Sequence, residues 1–203
     1  MKWLDWVQRL QAIAQDGLTY TENPFDVERY KQLRELAAEI AAEHTNTPQP
    51  VIADLFEREE GYATPKLDCR AAVFRGDRIL LVQEKADGLW TLPGGWIDVG
   101  ESPSEAVAKE AREEAGYEVR PRKLIAVHDR RIHNRPPVIW HIYKLFFLCD
   151  LTGEAEKSEL ETDGVGFFAE DDLPPLSTGK TSPEQIALCY KHYRNRELPT
   201  EYD

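Results

Sequence analysis

The segment of residues 95–117, GWIDVGESPSEAVAKEAREEAGY, constrains the fold of this chain more than any other segment. It contains a capping box, in which Ser102 is followed by a proline and, three positions after the serine, by Glu105. Gly116 supplies a stop signal, because glycine readily adopts the left-handed conformation that ends many helices. The segment therefore predicts a helix over residues 103–115.

Three carboxylates share one face of this predicted helix. Glu110, Glu113 and Glu114 are spaced by three and four residues, so they fall within an arc of about 100° on a helix. Such crowding raises the pKa values of the carboxyl groups and weakens the helix. Oxygen ligands in a cluster suit a hard cation such as Mg²⁺ or Mn²⁺. The alternative interpretation is an ordinary amphipathic helix with a solvated acidic face.

The segment resembles the Nudix box, which reads Gly, five residues, Glu, seven residues, then Arg-Glu-aliphatic-x-Glu-Glu-x-Gly-aliphatic. The matching residues are Gly95, Glu101, Glu110, Glu113, Glu114 and Gly116. Lys109 stands where the family has arginine, and Ala111 and Tyr117 replace bulky aliphatic residues. The lysine matters most, because a guanidinium binds carboxylates in a bidentate manner and an ammonium group does not.

This resemblance implies an enzyme that uses Mg²⁺ or Mn²⁺ to hydrolyse the pyrophosphate bond of a nucleoside diphosphate linked to another moiety, releasing a nucleoside monophosphate. It implies that Glu110 and Glu114 are the principal metal ligands. Glu113 would be a third ligand or the base that activates water. The carbonyl group of Gly95 would also bind metal, and Glu101 would support the cluster.

The resemblance also implies a further catalytic glutamate in a loop beyond the central strands. The acidic segment before the strand expected at Val165 is suitably placed in the sequence. Glu161 is the first candidate and Glu159 the second. A solvated acidic loop without a catalytic role is the alternative interpretation.

The net charge of −12 argues against a general nucleic-acid-binding protein, since phosphate backbones repel such a surface. The segment of residues 120–135 is the exception, with six Lys or Arg residues and one acid. Candidate residues for binding the phosphates or sugar of a substrate are Arg130, Arg131, His133 and Arg135. Aromatic residues that could stack on a nucleobase are Trp96, Trp140, Tyr143 and His133, although aromatic residues at strand spacing are more typical of a core.

Residues 1–60 have the pattern of a small helical domain, and residues 61–66, which contain Gly and Pro, have that of a linker. We expect the first helix to be interrupted at Gly17. Trp3 and Trp6 follow helical spacing, and we expect both to anchor the core of this domain. Further helices are expected over residues 26–44 and 51–58.

Residues 67–203 alternate short strands with two helices and are predicted to form the catalytic domain. One strand is expected to run from Val138 to Cys149, and a second capping box at Ser182 opens the last helix. This order predicts an α/β/α sandwich with a mixed sheet, which is also the fold that the Nudix resemblance implies.

The tryptophan-rich N-terminal segment KWLDWVQRLQAIAQDGLTY and the segment LSTGKTSPEQIALCY resemble a bacterial Nudix subgroup with a helical N-terminal domain. The resemblance implies CDP-choline or ADP-ribose as leading substrates, and we expect homodimers formed through the N-terminal domain. An enzyme acting on RNA ends and a non-catalytic sensor of nucleotide sugars are the alternatives.

The sequence has no apolar run approaching 18 residues and no signal-peptide pattern, so neither a membrane span nor secretion is expected. The cysteines, Cys69, Cys149 and Cys189, are odd in number and have neither zinc-site spacing nor a disulfide pattern. Both observations favour a cytoplasmic protein.

Overall fold

The computed structural model describes residues 1–156, 158 and 162–203. These residues form two compact units. The first unit consists of Met1–Pro65 together with Ile139–His141, and the second consists of Lys66–Val138 and Ile142–Asp203. No helix in the described part of the chain is long and apolar enough to cross a membrane.

Three helices build the first unit: α1 (Lys2–Tyr20), α2 (Pro24–Glu43) and α3 (Gln49–Glu57). Their shared core contains Val7, Ala37, Ala38, Ala41, Ile52 and Phe56. The three alanines of α2 present a small-residue face, which allows the neighbouring helices to pack closely against it. Ile139 and Trp140 pack against the same core.

Two expectations for the first unit are wrong. Helix α1 continues through Gly17, where an added Cβ atom would lie 2.4 Å from the Tyr30 ring, so glycine serves close packing of α1 on α2. Trp3 packs against the core and stacks on His44, as expected of an anchor. Trp6 instead leaves 53% of its surface exposed.

The described residues of the second unit form seven strands and three helices. In chain order these are β1 (Lys66–Val73), β2 (Ile79–Glu84), β3 (Trp90–Thr91), α4 (Pro103–Ala115), β4 (Tyr117–Asp129), α5 (Arg130–His133), β5 (Ile142–Glu154), β6 (Thr162–Phe168), α6 (Pro183–Arg194) and β7 (Glu201–Tyr202). The strand expected from Val138 begins later, at Ile142, because Ile139 and Trp140 pack in the core of the first unit.

The strands form one mixed sheet and one antiparallel sheet. The mixed sheet has the order β1-β5-β4-β7, with β5 parallel to β1 and antiparallel to β4. The antiparallel sheet has the order β3-β2-β6. Alternate residues of β1 face two different cores: Cys69, Ala71 and Val73 pack in the core that contains α4, whereas Ala72 packs in the core that contains α6. The predicted sandwich with a mixed sheet is confirmed.

Helix α4 has the boundaries that its local sequence predicts. The Ser102 hydroxyl accepts a hydrogen bond from the backbone amide of Glu105, and the Ser102 backbone amide donates one to the Glu105 carboxylate, so the capping box is formed. Gly116 ends the helix in the left-handed conformation, with φ of 71°. The capping box at Ser182 opens α6 in the same way.

Candidate active site

A glycine pair after β3 holds two carboxylates of α4 against the backbone. Gly94 has φ of +147°, and an added Cβ atom there would lie 2.0 Å from the Cys69 carbonyl oxygen, so only glycine fits. Its amide donates a hydrogen bond of 2.8 Å to Oε2 of Glu114. At Gly95 an added Cβ atom would lie 3.1 Å from the Glu110 carboxyl group. The turn therefore lies in contact with the acidic face of α4.

Glu114 is the most deeply buried of the acidic side chains on this face, with 5% of its surface exposed. Burial raises its pKa to about 7, and the charges of Glu110 and Glu84 add to the effect. The positive charge of Arg70 and the hydrogen bond from Gly94 oppose the rise only in part. A carboxylate in this environment is stabilised by an additional cation nearby.

A pocket of about 310 Å³, here called the carboxylate pocket, opens on this face. Its lining residues are Gly95, Trp96, Asp98, Lys109, Glu110, Glu113, Glu114, Ser158 and Thr162. Glu110 is half-buried, and Glu113 has a side chain that is about half exposed and forms an ion pair of 3.7 Å with Arg112. Within the described residues, no group of three or more acidic, histidine or cysteine side chains stands in an arrangement that could hold a metal ion. The ligand set from the sequence therefore stays a prediction.

Lys109 joins two carboxylates at the edge of the carboxylate pocket. Its Nζ atom donates hydrogen bonds to Oε2 of Glu101 at 2.9 Å and to Oδ2 of Asp98 at 3.0 Å. The hydrogen bond to Glu101 is the main cause of a raised Lys109 pKa, so the ammonium group stays charged. Lys109 thus links Glu101 to Asp98, which lies in the loop that follows the glycine pair.

We expect Lys109→Arg to hydrolyse substrate at an equal or higher kcat/KM than the wild type. A guanidinium reaches the same two acceptors, Asp98 and Glu101, and adds bidentate geometry. Steady-state kinetics with Lys109→Met as the matched control, which loses both ion pairs, measures the effect. A clear fall in Lys109→Arg would show that the ammonium group has a role that arginine cannot fill.

A second pocket, of about 600 Å³, adjoins the first and is here called the cationic pocket. The two pockets share Gly95, Trp96 and Glu114. The charged residues that line the cationic pocket are Asp68, Arg70, Asp87, Glu114, Arg130, Lys144 and Lys180. Trp96 leaves 49% of its surface exposed and lines both pockets.

The sequence prediction missed the buried charges of this pocket. Arg70 binds Asp68 in a bidentate manner, at 2.9 and 2.7 Å, and Lys144 lies 3.8 Å from the same carboxylate. Burial favours the neutral acid, but Arg70 and Lys144 hold the pKa of Asp68 below its ordinary value. The available signal was a charged residue inside an apolar strand, namely Arg70 in CRAAVF and Lys144 in IYKLFF.

Of the four substrate-binding candidates, Arg130 lies in the cationic pocket. Its side chain is buried, and its guanidinium donates to the carbonyl groups of Gly179, at 3.1 Å, and Pro136, at 3.0 Å. The side chain thus lines the pocket, and the two carbonyl groups that accept its hydrogen bonds are neutral.

The other three candidates lie outside the residues that line the two pockets. Arg131 forms an ion pair of 2.6 Å with Asp129. His133 contacts Asp203 at 2.7 Å. Arg135 donates to the carbonyl group of Arg131. Their contacts orient the segment that carries Arg130, and their binding roles stay predictions.

The remaining candidates fall in different places. Glu161 and Glu159 lie outside the described residues. Trp140 belongs to the first unit, and Tyr143 is not among the residues that line either pocket. Trp96 is therefore the aromatic candidate that the structure brings to the pockets.

Comparison with known proteins agrees with this geometry. Residues 65–189 match the NUDIX domain family, and residues 1–56 match a family described as the UDP-X-like, N-terminal oligomerisation domain. The Bacillus subtilis (strain 168) protein named "Putative ADP-ribose pyrophosphatase YjhB" is 45% identical over 202 residues, covering 100% of this chain and 97% of its own length.

Two solved structures resemble the chain. An ADP-ribose pyrophosphatase from Streptococcus suis 89-1591 is 48% identical, with a TM-score of 0.63, and the match covers 69% of this chain and all of that one. A UDP-X diphosphatase is 33% identical, with a TM-score of 0.65, and the match covers 100% of this chain and 98% of that one. The chain therefore belongs to the Nudix hydrolase family, as an enzyme of the pyrophosphatase type with a UDP-X-like N-terminal domain.

Proposed function

We propose that the protein hydrolyses the pyrophosphate bond of a nucleoside diphosphate linked to another moiety, with ADP-ribose as the first candidate substrate and CDP-choline as the second. The observation that carries the proposal is the junction of the two pockets, where Gly95, Trp96 and Glu114 line both. A diphosphate at this junction would have carboxylates on one side and cations on the other. The relatives named as ADP-ribose pyrophosphatases support the order of the candidates.

We infer that Mg²⁺ or Mn²⁺ is held by Glu110, Glu114 and the carbonyl group of Gly95, with Glu113 either as a third carboxylate ligand or as the base that activates water. The donors fit a hard cation, because they are oxygen atoms and because the buried Glu114 carboxyl group has a pKa raised to about 7 by burial and neighbouring acids. The Gly95 carbonyl already accepts a hydrogen bond of 2.9 Å from the Cys69 amide. A metal would therefore use its second lone pair.

In this proposal the exposure of each glutamate side chain decides whether it binds metal or transfers a proton. A divalent ion, when bound, supplies charge neutralisation on the phosphate oxygens and lowers the pKa of water. Glu114 and Glu110 are held against the glycine pair and act as fixed ligands. Glu113 has 49% of its side chain exposed, so it can reach solvent and accept the proton of the attacking water. Glu161 stays a further candidate for catalysis.

The test of the reaction class is a hydrolysis panel with Mg²⁺ or Mn²⁺, with products separated by chromatography. The panel contains ADP-ribose, CDP-choline, NADH, UDP-glucose, a dNTP and a short RNA, with Glu114→Gln as the control. Metal-dependent release of AMP or CMP would support the proposal and identify the linked moiety. Selective trimming of the RNA would favour the RNA-end alternative. Tight binding without turnover would favour the nucleotide-sugar sensor.

We also propose that the protein is a cytoplasmic homodimer that pairs through its first unit. Trp6, Arg9, Leu10, Ile13 and Ile40 line an apolar depression on that unit. Trp6 and Ile13 are each more than half exposed there, which is unusual for large apolar side chains grouped together. The match to a family described as an oligomerisation domain supports the pairing. Three buried, free cysteine thiols support the cytoplasmic location.

We expect Trp6→Ser to weaken self-association by about tenfold or more, since it removes a large aromatic side chain from the proposed interface. Sedimentation equilibrium of the full chain measures the dissociation constant. The control is Tyr20→Ser, which removes an aromatic side chain that is 71% exposed on the same helix and lies outside the depression. Equal dimerisation of the wild type and Trp6→Ser would place the interface elsewhere.

A further inference from the structure

The side chain of Lys144 lies in the wall of the cationic pocket with 2% of its surface exposed. Its Nζ atom donates a hydrogen bond to the carbonyl group of Lys180. The carboxylate that faces it, Asp68, is 3.8 Å away and already accepts two hydrogen bonds from Arg70. Lys144 is therefore oriented by a carbonyl group and shares its nearest carboxylate with another cation.

Arg130 approaches the same pocket from α5 and is anchored in the same way. Its Nε atom donates to the carbonyl group of Gly179. Gly179 directly precedes Lys180, whose carbonyl group accepts the hydrogen bond from Lys144. Its Nη2 atom donates to the carbonyl group of Pro136. Carbonyl groups orient a cation but carry no charge that would neutralise it.

The cations of the pocket wall differ in whether an acid is paired closely with them. Arg70 is matched by Asp68, and Lys180 forms an ion pair of 2.6 Å with Glu84. The other two acids that line the pocket, Asp87 and Glu114, form no ion pair with Lys144 or Arg130 in the described part of the chain, so both cations lie largely buried with carbonyl groups as their hydrogen-bond acceptors. Burial lowers the pKa of Lys144 to about 7, although the negative charge of Asp68 opposes the fall. Burying such cations is costly unless an anion joins them.

We propose that Lys144 and Arg130 form an anion subsite that binds one phosphate group of the substrate. The subsite lies in the pocket that shares Gly95, Trp96 and Glu114 with the carboxylate pocket, so a phosphate held there is next to the proposed metal ligands. The identity of the anion as a substrate phosphate rests on the proposed function. Lys144 and Arg130 supply charge-assisted hydrogen bonds, and the carbonyl groups of Gly179 and Lys180 fix their direction.

The test is a calorimetric titration of sulfate into the full chain in the presence of EDTA, which measures the sulfate Kd. Sulfate keeps the tetrahedral shape and the two charges of a phosphate group but does not change protonation in the working pH range. We expect Lys144→Met to raise the sulfate Kd by about tenfold or more, since it removes one charge-assisted hydrogen bond. The control is Lys191→Met, which removes a surface lysine paired with Glu201. An unchanged Kd in folded Lys144→Met would overturn the proposal.

The melting curve of Lys144→Met shows whether this variant folds. If it does not, Arg130→Gln provides a second test. Arg130→Gln removes the other charge while its amide can still donate to a carbonyl group, and we expect a similar rise in the sulfate Kd. An unchanged Kd in Arg130→Gln would then overturn the proposal. Sulfate binding should also weaken above about pH 7 in the wild type, because Lys144 loses its proton there and the Glu114 carboxyl group on the shared wall becomes negative in the same range. The part of this change that is due to Lys144 should be absent from Lys144→Met. The groups that face Lys144 are Asp68, Arg70, Arg130 and Lys180.

Binding and turnover separate this inference from the proposed function. Hydrolysis of a diphosphate by a wild type that binds no sulfate would overturn the anion subsite and leave the reaction class intact. Sulfate binding that depends on Lys144, in a protein that hydrolyses nothing in the panel, would support the subsite and overturn the proposed function. The assay needs no metal ion, so loss of sulfate binding in a variant cannot arise from loss of metal.

Discussion

Glu114→Gln is expected to lower kcat by at least about 10²-fold while the protein stays folded. Glutamine has nearly the same shape, and its amide oxygen can still accept the hydrogen bond from Gly94. The substitution therefore removes the negative charge and leaves the packing in place. Steady-state hydrolysis of the best substrate in the panel, at saturating Mg²⁺, measures the loss. Glu118→Gln, at an exposed position of β4, is the matched control.

The same variant should be more stable than the wild type when metal is removed with EDTA. The folded-state pKa of Glu114 is raised from 4.5 to about 7, so the unfolded chain gives up this proton first as the pH rises. The resulting loss of stability is absent below about pH 4.5 and complete above about pH 7. At pH 8 we expect Glu114→Gln to gain about 1 kcal/mol or more in the free energy of unfolding. Near-wild-type turnover combined with no gain would mean that Glu114 is not a metal ligand.

The boundaries of α4 could be predicted from its local sequence, whereas the burial of its side chains could not. The capping box at Ser102 and the stop at Gly116 depend on residues within a few positions of each other, so the sequence contains the whole signal. The burial of Glu114 depends on the turn at Gly94 approaching β1 at Cys69, residues far apart in the sequence. The sequence could identify a row of carboxylates but not the most deeply buried one among them.

Residues outside the motif were harder to assign because their roles depend on tertiary contacts. Lys144 occupies an apolar strand and is accounted for only once Asp68 and the Lys180 carbonyl lie beside it. Helical spacing placed Trp6 on an apolar face, but spacing cannot distinguish a face that packs in the core from one that stays exposed. Arg130 and Arg131 are neighbours with equal charge, and only the fold directs Arg130 into a pocket.

Gly94→Ala is expected to lower the free energy of unfolding by about 3 kcal/mol or more. Two costs act together: φ of +147° is a conformation that alanine strongly disfavours, and its Cβ atom would lie 2.0 Å from a backbone oxygen that cannot move freely. Thermal unfolding should show a fall in Tm of about 6 °C or more for a chain of this length.

The control Gly100→Ala separates the two costs. Gly100 lies in the loop that follows the glycine pair and has φ of +94°, but nothing lies within 4 Å of an added Cβ atom. Gly100→Ala should therefore lower the free energy of unfolding only by the cost of the positive φ, about 1–2 kcal/mol. Gly94→Ala should also lose at least about tenfold in kcat, because the displaced amide no longer orients Glu114. If both variants lost the same stability and retained activity, the close approach of Gly94 to β1 would have no part in building the site.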